Sequence, residues 1–452
     1  MNFPGPNQPF RPGRTPVHYG WVVAIAATIG VACSVPGQTI GVGVFTDSLI
    51  EAVGLPRTLI SICYMVGTLC SGFLVAPMGR WLDRRGIRFG AVASALGLGV
   101  GLVYLSQVDR LIPGLASSED TFAVAARMCF VTLGFFLIRF FGQGLMTLAS
   151  RNMIAKWFDN LRGRVTAVSG VFASFLFSLT PLLFDGMIRS WGWREAWLVL
   201  AGISGLCFGL FALLLFRDNP EECDLTLDAG KKIHPGKKVN RDNLIAHEFT
   251  RSEALKTYGF WIFNAAVSFQ GFFITGYTFH IVSIASDIGI ERDAALGAFL
   301  PAAMIAVGVS IFTGWLIDRT LMKYGLNIFA AGITLIPASL ILSPAEGSYF
   351  LLIVGLALSQ GAFAPVIGTV WARYFGREHL GAISGINMSS MVLSSALGPI
   401  VFSLSYDFLG GYRPVMFLGM GCGVLLLAGS FFVENPQRRL LGGMDSGEST
   451  RL

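Results

Sequence analysis

One arginine, Arg139, lies near the middle of an apolar stretch that runs from residue 122 to 150. A permanent cation at this depth in a bilayer costs about 2.5–3.5 kcal/mol, so such groups face a protein interior or an aqueous cavity. The other apolar stretches carry no Asp or Glu at a comparable depth. A guanidinium can hold a carboxylate through two parallel hydrogen bonds. We therefore expect Arg139 to contact an anionic ligand; the alternative is that it binds carbonyls of neighbouring helices.

Neutral polar residues at similar depth could complete such a site. The first apolar stretch is interrupted by Pro36-Gly37, and broken helices near the membrane midplane commonly frame ligand sites. A simple proline kink is the alternative. We expect some of the following polar residues to line the site and others only to bridge helices: Gln38, Thr39, Asn264, Gln270, Gln360 and Asn387.

His280 follows Tyr277-Thr278-Phe279 in the outer part of a later apolar stretch. An imidazole titrates near neutral pH and could couple the movement of a proton. A lone histidine in a membrane helix can equally be a satisfied hydrogen bond between helices. Both interpretations of His280 stay open at the level of the sequence.

A short motif occurs twice, each time where an apolar stretch ends. Residues 79–88 read Gly-Arg-Trp-Leu-Asp-Arg-Arg-Gly-Ile-Arg, and residues 314–319 read Gly-Trp-Leu-Ile-Asp-Arg. The carboxylate of the first copy can accept hydrogen bonds from a helix start, or pair with arginines, in one conformation only. That would make it a conformational latch. The predicted gating residues are Gly79, Asp83, Arg84, Gly86, Asp318 and Arg319.

The other members of the motif have simpler interpretations. Gly79 and Gly86 allow tight turns, and Arg84 can serve as a topology signal or a contact to lipid headgroups. The second copy is followed by a longer turn, from Thr320 to Gly325. The second copy therefore departs from the first at the turn after Asp318, and the latch is predicted mainly for Asp83.

The composition indicates a membrane protein. Charged residues make up 13% of the chain and hydrophobic residues 53%, against roughly a quarter charged in soluble domains. Stretches of about 20 apolar residues can cross a bilayer, and only helices satisfy the backbone there without a closed barrel. We predict an all-α protein with twelve spans, numbered 1 to 12: 21–47, 57–78, 89–106, 122–150, 164–185, 196–216, 259–286, 294–317, 327–342, 348–372, 381–405 and 414–433.

The distribution of basic residues predicts the orientation. If the N-terminus is inside, 25 of the 33 Lys and Arg residues fall in cytoplasmic segments and six in outer loops. Lys and Arg resist translocation, so both termini should be cytoplasmic. The formal charge of +6 is then a signature of topology, and we expect no nucleic-acid partner. The apolar run after residue 20 is too long for a cleavable signal peptide, so span 1 should act as the insertion signal.

These features predict the domain organisation. A cytoplasmic N-terminal tail (1–20) precedes an N-terminal six-helix bundle (21–216), a cytoplasmic linker (217–258), a C-terminal six-helix bundle (259–433) and a cytoplasmic C-terminal tail (434–452). Near the end of the linker, Thr250-Arg-Ser-Glu253 is a capping-box pattern. It predicts a short helix on the membrane surface before span 7.

The two bundles are related by an internal repeat. Asp83 and Asp318 are 235 positions apart, as are Gly54 and Gly289. Further along the chain, Gln143-Gly144 matches Gln360-Gly361 at an offset of 217 positions. Both halves start and end on the same side of the membrane, which is a parallel repeat about an axis along the membrane normal.

With its twelve spans, its six-plus-six division and the Gly-x-x-x-Asp-Arg-x-Gly loop after span 2, the chain resembles the major facilitator superfamily. Tyr19-Gly20-Trp21, the break at Pro36-Gly37 and Trp157-Phe158 are similar to bacterial relatives of monocarboxylate porters and oxalate–formate exchangers. The resemblance implies two pseudo-symmetric six-helix bundles, transport by alternating access and residence in a bacterial inner (plasma) membrane. Spans 8 and 11 carry no Lys or Arg, unlike those carriers, which favours a monoanion or a neutral solute over a dianion.

Enzyme functions are not supported by any motif. The chain lacks Gly-x-Ser-x-Gly, His-Glu-x-x-His and a phosphate-binding loop ending in Gly-Lys-Ser/Thr, and its seven cysteines show no metal or disulfide spacing. We expect no cofactor or metal, a monomer in contact with lipid, and a small organic anion as substrate, coupled to a proton or a counter-anion. An exporter or importer of a neutral or drug-like solute and a non-transporting membrane sensor are the alternatives.

Overall fold

The regular structure of the chain is helical. The computed structural model describes residues 5–111, 120–228, 244–289, 297–343, 345 and 347–438, and in this part it contains helices and turns but no strand. A long apolar segment must satisfy its backbone hydrogen bonds internally in hydrocarbon, and a helix does so within one segment. This confirms the all-α fold class.

Helices occupy all six spans of the first half, and three of these spans are irregular. Spans 2, 3 and 5 are single helices: Arg57–Arg85, Ile87–Ser106 and Arg162–Trp191. Spans 1, 4 and 6 have several segments: Tyr19–Cys33, the turn Val35–Gly37 and Thr39–Val53; Thr121–Ile138, the π-helical Arg139–Met146 and Thr147–Trp157; Trp193–Leu200, the π-helical Ala201–Cys207 and Phe208–Leu215.

Each span of the second half is one helix. A four-residue helix, Arg251–Ala254, comes first. Spans 7 to 12 then follow in order: Tyr258–Asp287, Phe299–Arg319, Met322–Leu342, Ser348–Phe375, Leu380–Leu409 and Arg413–Phe431.

Ten helical stretches in the described residues are long and apolar enough to cross a membrane. They correspond to all the predicted spans except 5 and 7. Those two spans form helices of 30 residues each, a length of about 45 Å at 1.5 Å per residue. Each is therefore longer than the roughly 30 Å of bilayer hydrocarbon.

The chain forms two compact units. The first comprises Met1–Trp157, Phe172–Ala229 and Ser384–Ser389, and the second comprises Phe158–Val171, Gly230–Ile383 and Ser390–Leu452. The first unit therefore contains spans 1–4, most of span 5 and span 6, and the second contains spans 7–10, most of span 11 and span 12. Each unit also includes a short segment from the other half of the sequence. In the first unit, Ser384 of span 11 donates a hydrogen bond to Asn152 of span 4, with 3.0 Å between the oxygens.

The N-terminal residues pack onto the first unit. The guanidinium of Arg88, which is buried, donates to the carbonyls of Gly5 (3.0 Å) and Gln8 (2.8 Å). Arg217, also buried, donates to the same Gln8 carbonyl (3.1 Å) and lies 5.1 Å from the ring of Phe10. Buried charges need such acceptors, so this segment completes the ends of spans 3 and 6.

The end of the linker is equally well anchored in the second unit. Thr250 accepts a hydrogen bond from the Glu253 backbone while Glu253 accepts one from Thr250, which is the complete capping box. The predicted short helix is present at Arg251–Ala254, and its position on the membrane surface stays a prediction. The side chain of Gln437 binds the backbone of Ala246 and His247. The middle of the linker, 229–243, lies outside the described residues.

Candidate functional site

Arg139 begins the π-helical segment of span 4 and is 1% exposed. Its Nε donates to Thr68 Oγ1 at 3.1 Å, and its Nη1 donates to Gly37 O at 3.2 Å and to Thr39 Oγ1 at 3.3 Å. These partners come from spans 1 and 2, and all of them are uncharged. The guanidinium is thus held in place without an acidic partner among the described residues.

The break in span 1 supplies two of these contacts. Pro36 lacks an amide hydrogen and cannot continue the helical ladder, so the helix stops at Cys33 and restarts at Thr39. Gly37 is needed where the break meets span 4, because a Cβ there would lie 2.2 Å from Ile138 O and 2.9 Å from Gly142 Cα. The predicted interruption at Pro36-Gly37 is confirmed, and it exposes the Gly37 carbonyl to Arg139.

Two residues at this site, Tyr64 and Thr68 of span 2, were not predicted from the sequence. The Tyr64 hydroxyl donates to Thr39 Oγ1 at 2.9 Å, and its ring centroid lies 5.1 Å from Arg139 Cζ. Tyr64 therefore supports the arginine both through Thr39 and through a cation–π contact. Both residues lie on a predicted span, but only their spacing of four, which places them on one helix face, could have indicated a shared role.

The predicted residue Gln38 belongs to the same region. Its Nε2 donates to Ser34 Oγ at 3.1 Å and to Thr147 Oγ1 at 3.2 Å. The structure thus brings together three of the predicted ligand-binding residues, Arg139, Gln38 and Thr39.

The remaining predicted polar residues lie elsewhere. In the second unit, Asn264 is buried and donates to Ser390 Oγ at 3.4 Å. Gln270 is buried there as well, and its Oε1 has no hydrogen-bond partner among the described residues. Gln360 is exposed, and Asn387 is buried in the segment of span 11 that belongs to the first unit.

His280 makes several contacts within the second unit. Its Nε2 is 3.0 Å from Pro399 O and 3.2 Å from Ser403 Oγ, and its Nδ1 is 3.3 Å from the Tyr412 hydroxyl. Both ring nitrogens thus have partners, on span 11 and at Tyr412 directly before span 12. This arrangement is what the helix-bridging interpretation of His280 predicts, and the proton-coupling role stays a prediction.

The second copy of the loop motif is engaged at the start of span 5. Asp318 accepts hydrogen bonds from the backbone amides of Gly163 (2.8 Å) and Arg164 (3.0 Å) and from Arg164 Nε (3.0 Å). Arg373 Nη2 lies 3.5 Å from Asp318 Oδ1, the oxygen that also accepts from the Gly163 amide. A carboxylate at a helix N-terminus accepts the unpaired amides of the first turn and meets the positive end of the helix dipole. Asp318 therefore has the geometry that the sequence predicted more firmly for Asp83.

The first copy of the motif is a tight turn between spans 2 and 3. Gly86 adopts φ +90°, a conformation that favours glycine, and the Asp218 carboxylate accepts the Arg88 amide at 2.8 Å. Gly79 is buried, Asp83 is half-buried, and Arg84 is exposed. Arg319 of the second copy is also exposed, with its guanidinium 4.8 Å from the Trp315 ring. The gating roles of these residues stay predictions.

Comparisons with known proteins agree with this architecture. The sequence pattern of the Major Facilitator Superfamily matches residues 21–359. Human monocarboxylate transporter 11 is 26% identical over 377 residues, covering 80% of this chain and 75% of that protein. A probable L-galactonate transporter of Escherichia coli (strain K12) is 22% identical over 402 residues, covering 85% and 83%.

A solved structure shares the fold. The proton:xylose symporter XylE, bound to 6-bromo-6-deoxy-D-glucose, superposes with a TM-score of 0.65 over 92% of this chain and 96% of its own, at 16% identity. At this identity the likeness concerns the fold alone. The family consists of transporters of small molecules and not of enzymes, and the helices described above are those of a multi-pass membrane protein. The chain belongs to the Major Facilitator Superfamily.

Proposed function

We propose that this secondary transporter moves a small organic anion, a monocarboxylate, across the membrane by alternating access. The observation that carries the proposal is Arg139, a guanidinium that is 1% exposed and whose hydrogen bonds to described residues all go to neutral groups. A buried cation without a counter-charge is costly, and a carboxylate held by the arginine would offset that cost.

The arrangement of the donors also supports an anion. Nε and Nη1 are used by Thr68, Gly37 and Thr39, whereas Nη2 has no hydrogen bond to a described residue. A fixed guanidinium with a free donor is pre-organised, so little side-chain entropy is lost when an anion binds. The names of two relatives, a monocarboxylate transporter and a probable L-galactonate transporter, point to the same substrate class.

The proposed mechanism uses the second loop motif. Alternating access requires contacts that form in one conformation and break in another. The bonds of Asp318 to Gly163 and Arg164 have this character, because they join span 8 to the start of span 5 through one side chain. We place both termini in the cytoplasm and the protein in a bacterial inner membrane, on the basis of the charge distribution and the resemblance to bacterial carriers. The driving gradient would be a proton or a counter-anion.

Replacing Arg139 tests the substrate class. A panel of small carboxylates is first screened by thermal stabilisation of the detergent-solubilised protein, since a ligand that binds the folded state raises its melting temperature. Arg139→Lys keeps the charge but loses the planar fork, so affinity should fall about 10- to 100-fold. Arg139→Gln should abolish carboxylate binding and uptake.

Arg127 offers a matched control on the same span. It is buried and donates to the backbone carbonyls of Val53 (3.3 Å) and Gly54 (3.0 Å), so Arg127→Lys should lower stability and leave affinity unchanged. If a folded Arg139→Gln protein binds carboxylates normally, Arg139 only packs helices and the proposal is wrong. Stabilisation by neutral solutes alone would favour the alternative of a neutral-solute carrier.

A further inference from the structure

Three polar residues of span 4 follow one another at intervals of four: Arg139, Gln143 and Thr147. This spacing places side chains one above another on one helix face. The outer two both have hydrogen-bond partners in or beside the break in span 1: Arg139 donates to Gly37 O and Thr39 Oγ1, and Thr147 Oγ1 lies 3.2 Å from both Ser34 Oγ and Gln38 Nε2.

The middle residue of this series differs from its neighbours. Gln143 is 9% exposed, and its Oε1 is enclosed without a hydrogen-bond partner among the described residues. Buried polar groups are nearly always hydrogen-bonded, and an unsatisfied one costs free energy comparable to its desolvation. The arrangement of Gln143 thus calls for a partner that is present only part of the time.

Packing explains why span 1 provides no such partner. Gly37 lies against the backbone of this part of span 4, so close that a Cβ would be 3.2 Å from the backbone nitrogen of Gln143. Gly144, the next residue, is approached from another side by Val75 Cγ2, 2.6 Å from where its Cβ would lie. A glycine and a valine offer no side-chain hydrogen bond. The hydrogen bonds between span 1 and span 4 therefore involve Arg139 and Thr147, on either side of Gln143, and not the Gln143 side-chain oxygen.

Comparison of the two halves of the internal repeat indicates that the burial of Gln143 is not a general packing requirement of this position. Gln143 corresponds to Gln360 in the second half, and each is followed by glycine. Gln360 is exposed, whereas Gln143 is buried with an unpaired oxygen. The repeat position does not by itself demand burial, so the environment of Gln143 is specific to the first unit.

We propose that Gln143 determines specificity by binding a hydroxyl group of the substrate whose carboxylate Arg139 holds. The inference rests on the proposed function and narrows the substrate to a hydroxylated monocarboxylate. Side chains four residues apart on a helix are about 5–6 Å apart at Cβ, so one small molecule can reach both. The hydroxyl donates to the unpaired Oε1 of Gln143, and the carboxylate accepts from the free Nη2 of Arg139.

Pairs of acids that differ by one hydroxyl test the assignment. Acetate against glycolate and propanoate against 2-hydroxypropanoate are compared by thermal stabilisation and by competition with uptake of the tighter-binding member. The wild-type protein should prefer the hydroxylated member by at least about tenfold, because a buried acceptor left unpaired penalises the other. Gln143→Leu should remove the preference by weakening only the hydroxylated member, whereas Arg139→Gln should abolish the binding of both members.

Two further variants keep the result interpretable. Gln143→Asn retains the amide but shortens it, so it should reduce the preference even if the leucine variant folds poorly. Gln107→Leu, at the end of span 3, makes the same chemical change at an amide whose hydrogen bonds to described side chains go to Ser106 and Arg110, and it should leave the preference intact.

The outcomes separate the two proposals. A wild-type protein that binds both members of each pair equally, or a folded Gln143→Leu protein that keeps the wild-type ratio, overturns the role of Gln143 while the carboxylate function stands. Failure of every acid to stabilise the wild-type protein or to compete for uptake overturns both proposals together.

Discussion

At the scale of single residues, Arg139 and Asp318 show two ways to bury a charge in this chain. Asp318 is surrounded by donors, two of them backbone amides and two of them on arginines. Arg139 has neutral acceptors only. A carboxylate with several charge-assisted bonds is stabilised by its own protein, whereas the guanidinium of Arg139 has no counter-charge among the described residues. The first arrangement suits a structural latch and the second a ligand contact.

The latch proposal predicts that Asp318→Asn slows transport without preventing insertion. The substitution keeps the volume but weakens the bonds to Gly163, Arg164 and Arg373, and breaking such a buried arrangement costs about 2–4 kcal/mol. Uptake of the identified substrate and the melting temperature are measured together. Gly163→Ala should have a similar effect, because its Cβ would lie 2.7 Å from both Asp318 Oδ1 and Gly314 O.

Asp83→Asn is the companion variant in the first copy of the motif. The sequence predicts that it also slows transport while expression stays near the wild-type level. Normal transport rates in both aspartate variants would show that neither carboxylate acts as a latch.

At the scale of elements, spans 3 and 6 are joined by an ion pair near the end of span 3. Arg194 donates to both carboxylate oxygens of Asp109 and, at 2.9 Å, to the carbonyl of Ser106. The hydrogen bond from Arg194 lowers the pKa of Asp109 below its ordinary value. The side chains are 17% and 22% exposed, so the pair is partly shielded from solvent and stronger than an open surface pair.

Asp109→Asn should therefore lower the free energy of unfolding by about 1 kcal/mol. Because the folded-state pKa is lowered, the stabilisation is fully present above the ordinary pKa of about 3.9 and is lost as the pH falls through the lowered value. Melting temperatures in detergent from pH 7 down to pH 3 measure this, and the gap between wild type and variant should narrow at the acidic end. Asp185→Asn is the control, because the Asp185–Arg189 pair is 49% and 79% exposed; an equal loss in both variants would contradict the argument.

At the scale of the whole molecule, the two halves of the chain share several hydrogen bonds and turns but differ in the regularity of their helices. Tyr19 at the start of span 1 donates to the carbonyl of Leu215 at the end of span 6, and Tyr258 at the start of span 7 donates to Gly429 near the end of span 12. Gly86 and Gly376 both adopt φ near +90° beside a carboxylate, Asp218 and Glu248 respectively. The irregular spans 1, 4 and 6, in contrast, all belong to the first half.

The charge distribution predicts the orientation of the whole chain. In a variant lacking the seven native cysteines, Lys232→Cys should react in intact cells only with membrane-permeant thiol reagents, and Ala116→Cys with impermeant reagents as well. Both positions lie outside the described residues, in the linker and in an outer loop of the predicted topology. Labelling of Lys232→Cys by an impermeant reagent would falsify the predicted orientation.

The sequence alone determined the membrane class, the all-helical fold and the break at Pro36-Gly37, and it predicted twelve spans in two repeated halves. These features follow from composition and local chemistry: apolar length, the unsatisfied backbone in hydrocarbon, and the missing amide of proline. Arg139 could be identified as a functional candidate for the same reason, since a charge in an apolar run is costly wherever the run packs.

Only the tertiary structure decided which side chains meet. Thr68 and Arg139 are 71 residues apart, and Gly163 and Asp318 are 155 residues apart, so their contacts depend on how helices cross and not on any local pattern. For the same reason, the sequence proposed Gln360 for the site and passed over Gln143, although the two occupy equivalent repeat positions. Their burial differs because the break in span 1 packs against span 4 beside Gln143. A periodic pattern within one span carries no information about the shape of the neighbouring span.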